Sequence, residues 1–130
     1  MTHRRYIRDL MKYLQSEDYT KVNIALKTAP KLIRQKATFG TELSTHAHDL
    51  GRIFVGMQDT FEMENFQEMR QSALIALVAS APSEAPYLID IFFTGDLSIQ
   101  QRCILLSALG IGSRELAGLE KPVSVLIRYR

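Results

Sequence analysis

Residues 41–57, TELSTHAHDLGRIFVGM, carry the reading that decides the fold. Leu43, Ala47, Leu50, Phe54 and Met57 fall at steps of four, three, four and three residues. At 3.6 residues per turn those steps return every one of them to the same side of an α-helix. The polar residues between them, Ser44, Thr45, His48 and Arg52 among them, are left for the other side.

The same pitch recurs toward the N-terminus. Ile7, Leu10, Met11 and Leu14 form an i, i+3, i+4, i+7 stripe opposite Arg8, Asp9 and Lys12, and a polar break at Ser16–Asp18 offers capping chemistry. Val22, Ala25, Leu26 and Ala29 trace a second stripe up to Pro30. Because proline is accepted at a first helical position, Pro30 is predicted to open a short third helix, with Leu32, Ile33 and Ala37 inward, Lys31, Arg34 and Lys36 outward, and Gly40 closing it.

Toward the C-terminus, Asn65 and Glu68 have capping-box spacing ahead of Phe66, Met69, Ala73, Leu74, Leu77 and Val78, a long helix that stops at Pro82. A shorter helix starts near Pro86, carries Tyr87, Leu88, Ile91 and Phe92, and ends at Gly95. Ser98 and Gln101 repeat the box before a final helix over 99–116. It is apolar on one side through Ile99, Cys103 and Leu106 and on another through Ile104, Ala108 and Ile111. Such a helix is expected between neighbours. Seven helices on short connections predict an all-α chain of antiparallel helix pairs, an α-solenoid of HEAT-like kind, with a closed bundle as the competing architecture. Residues 1–121 read as that domain. Residues 122–130, where Val123, Val125 and Ile127 alternate with no partner strand, read as a loose tail.

Hydrophobic residues at 46% and charged residues at 23% place the chain in the ordinary globular range. Its single cysteine, Cys103, excludes an internal disulfide. Its aliphatic flanks predict a packed, inert core thiol, and a reducing setting, cytoplasm or nucleus, is expected. No apolar run of about 18 residues offers a membrane span, and the N-terminal stretch lacks the apolar core of a secretion signal.

A net charge of +2 conceals two blocks: residues 1–40 hold nine Lys or Arg against three acids, and residues 41–68 hold Arg52 against six. Within the basic block, Lys27, Lys31, Arg34 and Lys36 could form one ridge, which a nucleic acid would use through its phosphates. The absence of interleaved aromatics argues against base stacking there, so a solvated face or a protein-partner patch is the stronger reading.

Catalytic and metal chemistry find no constellation. His46 and His48 lie about 200° apart around a helix and cannot face one ion. Glu17, Asp18, Glu62 and Glu64 stand in polar breaks where water solvates them. Gly110 and Gly112 sit mid-helix without a preceding strand, so a dinucleotide fingerprint fails and close helix approach is the expected use. No enzyme activity, metal or cofactor is predicted.

The run from Pro30 to Pro82 contains the words Gly40-Thr41-Glu42-Leu43, Gln58-Asp59-Thr60-Phe61-Glu62 and Arg70-Gln71. Residues 85–119 add a Pro-Tyr-Leu turn, an aromatic pair, Ser98 and then Gln101-Arg102. In these the chain resembles the conserved domain of the telomere length regulation protein family. That resemblance implies an α-solenoid scaffold that, with two partner solenoid proteins of the TTT co-chaperone complex, stabilises phosphatidylinositol 3-kinase-related kinases of the mTOR and ATM types. It further implies an indirect link to heat-shock chaperone machinery. Family members are several times longer, so a piece of such a scaffold is expected, and the family's association with telomeres keeps telomeric DNA as an alternative partner. Polar residues within the matching words, Arg34, Lys36, Gln58, Asp59, Arg70, Gln101 and Arg102, are the candidate partner contacts, with capping and inter-helix bonding as their structural alternative.

Overall fold

The computed structural model describes residues 6–118; the reading of 122–130 as a tail lies outside the described residues. The six α-helices are α1 Ile7–Leu14, α2 Tyr19–Lys36, α3 Glu42–Gly56, α4 Phe66–Ser80, α5 Ala85–Thr94 and α6 Ile99–Leu116, with one 3-10 turn, Pro82–Glu84, between α4 and α5. Packing follows a two-layer rule. Successive helices pair as α1 with α2, α3 with α4 and α5 with α6, while α2, α4 and α6 pack side by side in one layer and α1 packs on α3 in the other. Three helical hairpins stacked in a row make the α-solenoid.

The expected count of seven helices is corrected to six among the described residues, because Pro30 lies inside α2 rather than opening a new helix. Proline has no N–H to give the Leu26 carbonyl, which weakens the helix locally. The buried stripe nevertheless runs straight through it, from Val22, Ala25, Leu26 and Ala29 to Leu32 and Ile33, and burial of that continuous face outweighs one missing hydrogen bond. Pro30→Ala should therefore keep the fold and raise stability by about 1 to 2 kcal/mol, read in a denaturant titration; a loss would mean that the ring itself fills essential space.

Helix starts divide in two. Asp18 accepts the Thr20 N–H at 2.9 Å, and Ser98 and Gln101 form the predicted reciprocal box, Ser98 Oγ accepting the Gln101 N–H at 3.1 Å and Gln101 Oε1 accepting the Ser98 N–H at 2.8 Å. The box predicted at Asn65 does not form: Asn65 is left-handed at φ 64°, which turns its side chain away from the first turn of α4.

Helix α4 is the centre of the molecule. Ala73, Leu74, Ile75, Ala76, Leu77 and Val78 are all buried, six in succession, because α2, α3 and α6 surround it. Gly112 lets α6 approach: a β-carbon there would stand 2.7 Å from Val78 Cβ and 3.1 Å from the Ile75 carbonyl oxygen. Gly110 has open space around it, so only one of the two glycines serves close packing. The outer side of α6 overturns two expectations. Cys103 is exposed rather than a core thiol, and Ile99 and Leu106 beside it are 80% and 58% exposed rather than sandwiched. The described chain supplies a neighbour on one side of α6 and none on the other. No single helix among the described residues is long and apolar enough to cross a membrane.

Candidate functional site

Most of the polar signature residues converge on helix ends. Helix α3 finishes at Gly56 with its last carbonyls unpaired by the helix itself, and such groups need donors when buried. Arg70, on α4 and only 2% exposed, supplies them: Nη1 donates to the Met57 carbonyl at 2.6 Å and to the Val55 carbonyl at 3.3 Å. Its Nη2 donates to Gln67 Oε1 at 2.7 Å, and the guanidinium lies 5.2 Å from the Phe66 ring centroid. Burial pushes this guanidinium below its ordinary range and the nearby Asp59 carboxylate pulls it back; arginine remains a cation regardless. Its Nε is buried without a partner among the described residues.

The Val55 carbonyl accepts a second bond from α6, through Gln101 Nε2 at 3.0 Å. One oxygen thus joins α3, α4 and α6. Arg102 treats the end of α5 similarly, donating to the Phe92 carbonyl and, at 3.4 Å, to the Gly95 carbonyl. Asp59 orders the loop between α3 and α4 by accepting the Met63 N–H at 2.8 Å. Arg34 forks onto Glu115, with Nε to Oε2 at 2.9 Å and Nη2 to Oε1 at 2.8 Å, closing α2 against the end of α6. Lys36 stands 3.7 Å from Glu42 and 5.4 Å from the ring centroids of Tyr6 and Phe39.

Arg70 is thereby removed from the surface a partner could touch, and Arg34, Gln101 and Arg102 are half-buried in clamps between elements. Gln58 is the exposed member of the set. The basic ridge is broken likewise: Arg34 and Lys36 face carboxylates, while Lys27 and Lys31 are exposed and make no ion pair among the described residues.

Sequence reasoning missed a second latch. His48, on the polar side of α3 as expected and exposed there, places Nδ1 at 2.7 Å from Glu84 Oε1 and stacks on Tyr87 with centroids 4.0 Å apart. Glu84 is buried; its Oε2 also lies 2.6 Å from Nδ1, but only Oε1 has bonding geometry. The spacing of His48 on α3 gave no signal, since its partner is 36 residues away.

Two open grooves lie on the surface of the described residues. One, of about 660 Å³, runs beside α1 and α3 between Met11, Leu14, Ile53 and Met57. The other, of about 520 Å³, lies between α2 and the start of α4 and is edged by Tyr19, Lys27, Glu64 and Glu68. Among the described residues no three His, Cys, Asp or Glu side chains are grouped to hold a metal ion.

Stacked helical hairpins whose signature side chains tie helix ends to neighbouring helices define the chain as an α-solenoid domain. The sequence profile described as "Telomere length regulation protein" matches residues 4–113. The chain belongs to that family. It is 37% identical over 127 residues to Telomere length regulation protein TEL2 of Saccharomyces cerevisiae, covering 95% of this chain and 18% of that protein. It is 34% identical over 110 residues to DNA replication checkpoint protein tel2 of Schizosaccharomyces pombe, covering 83% of this chain and 13% of the other. A solved structure described as "Tel2 structure and function in the Hsp90-dependent maturation of mTOR and ATR complexes" superposes with a TM-score of 0.80 at 36% identity, covering 90% of this chain and 20% of that one. The chain therefore spans a fifth or less of the length of these relatives.

Proposed function

We propose that the chain is a rigid, non-enzymatic segment of a scaffold that brings phosphatidylinositol 3-kinase-related kinases of the mTOR and ATR types to Hsp90-dependent maturation, alongside the two partner solenoids of the TTT complex. The observation that carries this reading is the convergence of Arg70 and Gln101 on the Val55 carbonyl. The residues that mark the family fix the relative positions of helices, which is what a scaffold must do to present a surface of constant shape. Contact then falls to side chains that remain outward, Gln58, Lys27 and Lys31. The telomere and checkpoint names of the relatives favour work in the nucleus, and chaperone-linked maturation favours the cytoplasm as well.

The test is co-elution of the tagged chain with a purified kinase of the mTOR or ATR type. Replacing Lys27, Lys31 and Gln58 together by glutamate is expected to weaken co-elution about fivefold or more while thermal unfolding stays unchanged. Full retention would place the contact on another face, and failure of the parent chain to co-elute would sink the proposal for this segment.

The nucleic-acid reading is left with Lys27 and Lys31 as the cations of its ridge that make no ion pair among the described residues. Two phosphate contacts give a salt slope of about −1.8, hence only about a tenfold loss of DNA affinity between 50 and 200 mM salt, against roughly 150-fold for four contacts. A steep slope in a fluorescence anisotropy titration would restore telomeric DNA as a partner.

A further inference from the structure

The groove between α2 and the start of α4 lies inside the row of hairpins, not at an end of it. The two helices are neighbours within one layer, so further hairpins stacked on α1–α2 or on α5–α6 would lengthen the row without covering this face. Its floor is apolar, built by Leu26 and Pro30 from α2 and Met69 from α4, and the half-exposed ring of Tyr19 lines it, braced edge-on by Phe61 at 5.7 Å. Its rims carry opposite charge: Lys27 on the α2 side, Glu64 and Glu68 on the α4 side. All three are exposed, and none makes an ion pair or a side-chain hydrogen bond among the described residues. Opposite charges therefore line one groove without closing it. The floor also holds a spare acceptor. Pro30 has no N–H for the Leu26 carbonyl, and both residues line the groove, so a main-chain oxygen there lacks its helical donor.

An apolar strip between a cationic edge and an anionic edge is the counterpart of an amphipathic helix whose apolar stripe is flanked by carboxylates on one side and cations on the other. From Tyr19 to Pro30, α2 rises roughly 16 Å, the length of about three turns of such a helix. We infer that this groove docks an amphipathic helix of a partner protein. The partner's apolar stripe lies over Leu26, Pro30 and Met69, its arginine or lysine flank meets Glu64 and Glu68, and its acidic flank meets Lys27. Other ligand chemistries fit the charges less well. A nucleic acid would set phosphates against two carboxylates, and a uniformly basic segment would set a cation against Lys27. The docking site shares Lys27 with the contact surface proposed above but does not rest on the kinase reading, because the two rims alone define the ligand. A three-turn contact falls below the roughly 1,200 Å² of stable complexes, so binding is expected to be reversible, with a Kd of about 10–100 µM.

The test uses the whole chain and a fluorescent synthetic peptide of about 18 residues, long enough to be helical, with a leucine stripe, arginines on one flank and glutamates on the other, read by anisotropy. The parent chain should bind it in the range given above. Glu64→Lys combined with Glu68→Lys makes both rims cationic and should weaken binding about tenfold or more. Adding Lys27→Glu to that pair exchanges the rims. Because a helix turned end for end exchanges its flanks, binding should then return to within about threefold of the parent. The triple variant carries the same changes beside α4 as the double one, so recovery separates lost charge matching from a damaged fold. A control peptide with glutamate on both flanks should show the reverse order, binding the double variant about tenfold more tightly than the parent. No binding of the mixed-charge peptide to the parent at about 1 mM overturns the inference. So does equal binding by all three chains, or a loss in the double variant that the triple variant does not recover. Self-association of the chain that the peptide competes away would make the occupant a second copy, and overturns it too.

Discussion

Arg70→Ala is expected to cost about 3 kcal/mol or more of stability, seen as a fall in thermal midpoint of roughly 10 °C. Three losses combine. The Met57 carbonyl loses its 2.6 Å charge-assisted donor, the Val55 carbonyl loses one of two donors, and the space over Phe66 is emptied. Lysine cannot repair the site, because a single ammonium does not reproduce a planar fork reaching two carbonyls and Gln67, so Arg70→Lys should retain less than half of the lost stability. The shared oxygen makes a sharper prediction. Gln101→Ala alone should cost about 1 kcal/mol while Arg70 still serves Val55; in the double variant that carbonyl is buried unpaired, and the total should exceed the sum of the singles by about 1 kcal/mol. Strict additivity in denaturant titrations would dissolve the three-helix junction as an energetic unit.

The two glycines of α6 should respond with opposite signs. Alanine favours a helix over glycine by about 1 kcal/mol, and at Gly110, where a β-carbon meets nothing, Gly110→Ala should gain about 0.5 to 1 kcal/mol. At Gly112 the added carbon would lie 2.7 Å from Val78 Cβ and Cγ1 and 3.1 Å from a backbone oxygen that cannot move without shifting α4. There the substitution should cost about 2 to 3 kcal/mol despite the same gain in propensity. Equal effects at the two positions would mean that α4 and α6 are not in tight register.

These contrasts show what the sequence could carry. Four of the five positions of the stripe that opened the reading, Leu43, Ala47, Leu50 and Phe54, are buried on α3, since periodicity in one helix depends only on local pitch; the fifth, Met57, is the half-buried, extended C-cap just past the last turn. The Pro30 boundary was misread because whether proline starts a helix or sits within one is decided by whether apolar residues on both sides meet the same neighbour, here α4. Cys103 was misread because two apolar sides on a helix announce two neighbours, and the described residues supply a neighbour on one side alone. The signature words singled out polar residues as partner contacts and concealed what those residues hold within the fold. Their partners are mostly carbonyl oxygens of Val55, Met57, Phe92 and Gly95, groups that every residue possesses and no side-chain pattern marks.

The six consecutive buried residues of α4 also bear on biosynthesis. As the polypeptide is made from its amino end, α4 is finished about 36 residues before α6 is. At ~5–20 residues per second, Ile75 and Val78 wait roughly two to seven seconds without the surface that shields them. During each round of translation the nascent molecule passes through an interval in which its most deeply buried helix is half uncovered. Slow codons between Ala85 and Leu116 would lengthen that vulnerable window without altering the finished protein.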